Sequence, residues 1–191
     1  MTMPLHPDAA ARAAVRQLAA TLAYRAAKVL RDVPPEFATR SFGDSTRVPV
    51  TIVAHMGDLM AWGVTIACGD EVWKAEGSRD WNAEVARFFD HLATIDRELA
   101  SDTFAGSIET LIQGPLSDAL WHVGQLAMLR GMAGVPVRPE SFARGNRRRA
   151  GRFRPGGASS RVRRRRKPSS ITTISTSLRR AGALAPALQL P

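Results

Sequence analysis

Thr51-Ile-Val-Ala-His55-Met-Gly-Asp-Leu-Met-Ala-Trp62 and Asp118-Ala-Leu-Trp-His122-Val-Gly-Gln125-Leu126 are the two stretches that decide the reading of this chain. Around the first, Val48, Ile52, His55, Leu59, Trp62 and Ile66 recur at alternating steps of four and three residues. That is the spacing of one buried helix face, so His55 is expected to point inward. Around the second, Pro115, Asp118, His122, Gln125, Leu129 and Met132 follow steps of three and four, which turns a carboxylate and an imidazole one turn apart toward the same interior. A carboxylate buried without a partner costs on the order of several kcal/mol. A divalent cation held by His55, Asp118 and His122 offsets that cost, and these three are the candidate metal ligands. Gln125, one step further along the face, is placed to hydrogen-bond a ligand or a substrate.

Working outward, residues 8–31 carry Ala11, Val15, Leu18, Leu22, Ala26 and Val29 on one stripe and read as a first helix, ended by Pro34 and Pro35. A loop through Gly43 and Asp44 leads to the second helix. It starts near Pro49, where a missing amide proton is tolerated, and closes near Gly69. The segment 70–80 is polar and turn-like. Val85, Phe88, Leu92, Ile95 and Leu99 mark a third helix, and a fourth follows Gly114 and Pro115 and stops at Gly134-Val-Pro136. No run alternates in the manner of a strand. Four amphipathic helices bury their stripes against one another, so the expected fold is all-α, an antiparallel four-helix bundle.

The net charge of +10 over 191 residues hides two unlike regions. Residues 1–144 hold all 17 acidic residues and 14 of the 27 Lys and Arg, a net charge of −3, whereas 145–191 hold the other 13 and no acid. Segments such as Arg161-Val-Arg-Arg-Arg-Arg-Lys-Pro168 mix like charges with Ser, Gly and Pro, so 144–191 are expected to be a disordered tail after a domain at 1–143. Such a tail binds phosphates through charge, with steep salt dependence and weak sequence preference. The single cysteine, Cys68, excludes an intramolecular disulfide framework and fits a reducing, cytoplasmic compartment. Arginines and a lysine interrupt the Ala-rich start, so neither a signal peptide nor a membrane span is expected.

Competing readings stand beside the metal site. Asp118, after Gly114 and Pro115, also suits the positive end of a helix dipole, and either histidine suits a hydrogen-bonded core position. Asp58 and His91 fall off their stripes and are expected at the surface. Cys68 reads as core packing; Trp62, Trp73, Trp81 and Trp121 read as core or interface packing, with the walls of a pocket as the other reading. Phosphate loops, serine-nucleophile elbows and paired-cysteine zinc motifs are absent from the sequence.

Ala54-His-Met-Gly-Asp-Leu59 and Asp118-Ala-Leu-Trp-His-Val-Gly-Gln-Leu-Ala-Met-Leu-Arg130 resemble the motifs of the DinB-like superfamily of small four-helix proteins, over about residues 5–143. The resemblance implies a divalent ion between a histidine of the second helix, matched by His55, and a pair four residues apart in the fourth. His122 matches one of that pair; Asp118 stands where relatives carry the other histidine. A two-histidine, one-carboxylate set suits iron, manganese, nickel or zinc with open positions. The resemblance further implies Lewis-acid activation of a water or thiol, in a hydrolase or a transferase using low-molecular-weight thiols, and a homodimer. It stops at Arg144, where an acid-free tract begins, as a reading-frame shift in the gene produces. The rival function is a nonenzymatic bundle whose basic tail contacts nucleic acid or an anionic surface.

Overall fold

The structure, a computed structural model, describes residues 7–142. The expectations for 144–191, disordered tail and frame error alike, lie outside those residues. Helix α1 (Pro7–Leu30) is rich in Ala, which loses least on entering a helix. It buries Val15, Ala19, Leu22, Ala26 and Val29, while Ala11 of the expected stripe is exposed. The buried guanidinium of Arg130 closes its far end, donating to the carbonyls of Val29 at 3.1 Å and Arg31 at 2.7 Å. These are acceptors that a helix end otherwise leaves to water. Pro34 and Pro35 stop α1, and a short 3-10 turn at Pro35–Thr39, unexpected from sequence, buries Phe37 edge-on against Trp81 at 6.0 Å.

Helix α2 (Pro49–Ala67) places Pro49 in its first turn, as the absent N–H favours. Gly69, at a φ of +91°, ends it: the amide of Asp70 reaches back to the Thr65 carbonyl at 2.9 Å. Burial extends well beyond the expected stripe to Val53, Met56 and Met60, making α2 a central helix. Its length and a mean hydropathy of 1.4 match a membrane span, and 67% of that span is buried inside the protein.

From Gly69 the chain doubles back along α2. The Val72 amide donates to Thr65 Oγ1 at 3.0 Å, Trp73 meets Trp62 edge-on at 5.8 Å, the Glu76 amide donates to Asp58 Oδ1 at 3.0 Å, and Gly77 lies against Ala54. The chain thus returns to the end at which α2 began. Helix α3 (Trp81–Ala100), capped by Asp80 Oδ1 on the amides of Asn82 and Ala83, runs in the same direction as α2, with Arg87 beside Asp58 and Ile95 beside Gly63. This revises the all-antiparallel expectation. The cause is the reach of residues 68–80: an extended chain covers roughly 3.3 Å per residue against roughly 1.5 Å in a helix, so a short link retraces a long helix.

The last helix also starts earlier than expected. Ser107 caps α4 (Ile108–Leu111), which widens into a π-turn at Ile112–Leu116 and continues as α5 (Ser117–Met132). Pro115, with no amide to donate, lies inside the wide turn rather than at a helix start. α1 packs against α3 and α5, and α2 packs against the same two, so the long helices close a ring with α1 and α2 on its diagonal. α1 opposes α3 in direction, Arg12 meeting Ser101 and Arg16 meeting Asp96; α2 opposes α5, Trp62 meeting Gly114. No strand occurs among the described residues, and the fold class is all-α.

Candidate metal centre

Where α2 and α5 cross in opposite directions, His55 faces Asp118 and His122. His122 Nε2 lies 3.3 Å from Asp118 Oδ1, and His55 Nε2 lies 3.6 Å from Asp118 Oδ2. The two imidazoles stand edge to face, 4.9 Å between centres. One ligand atom from each of the three residues falls within 4.8 Å of the others, so the group can hold a metal ion. Donors around a tetrahedral zinc, at bonds of about 2.0–2.1 Å, sit roughly 3.3 Å apart. The separations of 3.3 Å to Asp118 Oδ1 and 3.6 Å to Asp118 Oδ2 are close to that spacing.

Protonation fits the same role. His122 Nδ1 is 2.7 Å from Gln125 Oε1. A carbonyl oxygen only accepts, so Nδ1 carries a proton, and Nε2 is the ring atom that faces the Asp118 carboxylate. His55 is held below its ordinary pKa, first by burial and then by the neighbouring His122, against the opposing pull of Asp118. Its neutral, metal-binding form is therefore favoured near pH 7. Gln125 takes the supporting position expected of it, and Trp73 closes over His55 edge-on at 5.9 Å.

Several surroundings differ from expectation. The Asp118 side chain is 45% exposed, so the desolvation cost inferred from its stripe is not incurred. Its position between two imidazoles, rather than burial, is what marks it. The dipole reading also loses ground, because the backbone is already helical from Ile108 onward and Asp118 faces no free helix end. Cys68 is exposed, Trp121 is 70% exposed, and His91 is half-buried with an unpartnered Nδ1.

Asp58 is the largest correction. Expected at the surface, it is buried and bonded to Arg87 Nη1 at 2.9 Å and to the Glu76 amide. Arg87 also donates from Nε to Glu84 Oε2 at 2.8 Å and from Nη2 to the Ala54 carbonyl at 2.8 Å. Burial alone would raise the Glu84 pKa, yet the Ser78 amide and Arg87 outweigh it and hold the carboxyl below its ordinary value. Gly57 makes this possible: a Cβ there would stand 2.7 Å from Arg87 Nη2. The spacing of Glu84 and Arg87, three apart on an amphipathic helix, was the available sequence signal.

A pocket of about 490 Å³ lies against the two histidines of the centre, without Asp118 in its lining. His55, His122 and Gln125 line it together with Ser45, Thr46 and Arg47 from the loop before α2 and with apolar Ile52, Met128 and Leu129. Comparison of the chain with family models, curated proteins and solved structures gave no match.

Proposed function

We propose that the chain is a divalent-metal-binding protein of the DinB-like four-helix type, with His55, Asp118 and His122 as ligands. The observation that carries this reading is the convergence of one ligand atom each from His55, Asp118 and His122 within 4.8 Å, with His122 Nε2 3.3 Å from Asp118 Oδ1. The placement of one ligand on the second long helix and two on the last, around a ring of four, supports the family likeness. Two nitrogens and a carboxylate suit nickel, zinc, iron or manganese. An ion held there supplies Lewis-acid chemistry, lowering the pKa of a water or thiol at its open position. The chain's own residues do the rest: Gln125 fixes the tautomer and orientation of His122, Trp73 shields one side of His55, and the pocket admits substrate. Hydrolysis or transfer of a low-molecular-weight thiol are the reaction classes that follow, in a cytoplasmic homodimer.

Elemental analysis of protein purified without an affinity tag tests this. Near-stoichiometric divalent metal in the wild type, lost in His55→Ala and His122→Ala, is expected; wild-type protein that takes up no metal overturns the reading. The segregation of charge, net −3 before residue 145 and +13 after it, favours a second activity, binding of nucleic acid or an anionic surface by the tail. Salt-sensitive retention on nucleic acid that survives deletion of residues 145–191 would remove it.

A further inference from the structure

The pocket's charge is unbalanced in one direction. No acidic side chain lines it, while Arg47 stands at its rim and makes no ion pair or hydrogen bond among the described residues. Nor do the hydroxyls of Ser45 and Thr46, which line the same rim. A divalent ion held by two neutral imidazoles and one carboxylate keeps one net positive charge, and Arg47 adds another. The lining also holds apolar Ile52, Met128 and Leu129, Met128 being 60% exposed. The volume of about 490 Å³ falls within the roughly 300–1,000 Å³ of small-molecule sites. We propose that this pocket binds a small organic anion with a short apolar body, its reacting group toward His55 and His122 and its anionic group on Arg47, Ser45 and Thr46. The inference rests on the metal reading and adds the substrate class to it. A guanidinium fork and two hydroxyls match the oxygens of a carboxylate or phosphate ester, and they leave a neutral or cationic substrate unpaired.

Two chelating probes separate the inference from the reading beneath it. Succinate monohydroxamate and butyrohydroxamate share a metal-binding head and differ in a terminal carboxylate. Calorimetry on the zinc-loaded full chain is expected to show the succinate probe binding roughly three- to tenfold more tightly, the range of a partly exposed arginine–carboxylate pair. Arg47→Gln is expected to abolish that preference while leaving butyrohydroxamate affinity, zinc content and thermal stability unchanged, and Arg47→Lys to restore part of it. Equal affinities in the zinc-loaded wild type, or a preference that persists in Arg47→Gln, overturn the inference alone. Failure to retain zinc, with no affinity for either probe, overturns the metal reading and this inference with it.

Discussion

Two charged clusters branch from neighbouring turns of α2, and they are built in opposite ways. On the side facing α3 and the returning chain, Asp58 and Glu84 are buried, and Arg87 with the amides of Glu76 and Ser78 answers their oxygens. On the side facing α5, His55, Asp118 and His122 bring three ligand atoms together with no Lys or Arg among the described residues in hydrogen-bonding contact. The first cluster contains its own cation; the second has a donor set that could hold one from outside. A filled cluster fixes architecture, whereas an open one is available for chemistry.

The comparison breaks most sharply at Arg87. Arg87→Met leaves two buried carboxylates without a cation and is expected to lower unfolding free energy by about 3–5 kcal/mol in denaturant titration. A loss below about 1 kcal/mol would mean that the cluster does not hold the returning chain. At the open cluster, Gln125→Leu should weaken metal affinity by roughly ten- to a hundredfold in competition with a chelator, since the His122 ring loses its anchor. Unchanged affinity would assign Gln125 to substrate alone.

Acid offers a finer probe. Glu84 is held below its ordinary pKa in the folded state, so its stabilising contribution is complete above the unfolded carboxyl range. That contribution drains away as pH falls through about 4.5 toward the lower folded value. Stability measured across pH 3–6, roughly the span of carboxyl titration, should decline less steeply in Glu84→Gln, and parallel curves would sink the assignment. The smallest effect is the most telling: Asp118→Asn should change metal-free stability by only about 0.5 kcal/mol, because the side chain is 45% exposed, while metal content falls. A large loss of stability without metal would make Asp118 a structural residue.

Much of this was legible in the residues. Pro49 and Gly69 bracket α2, the stripe Phe88, Leu92, Ile95 and Leu99 is buried in α3, and His55, Asp118 and His122 converge. What escaped has separate physical causes. Reading a stripe assumes that the other faces meet water, but α2 is packed on nearly all sides, so Asp58 off the stripe is still inside. Direction escaped because polarity in 70–80 marks a link without saying where it goes. Pro115 was misread as a start because a π-turn, unlike an α-turn, accommodates its missing donor.

The returning link also bears on the order in which the protein folds. Its ties to α2, and those of Arg87, join residues 7 to 33 apart in sequence, whereas the ties of α1 to α3 and to Arg130 span 80 to 102. Closing the shorter loops sacrifices less chain entropy, which makes residues 49–100 the segment expected to nucleate first, with α1 joining late. Native-state amide exchange that is slowest in α2 and faster in α1 is the signature to look for, and the reverse ranking would point to a nucleus elsewhere.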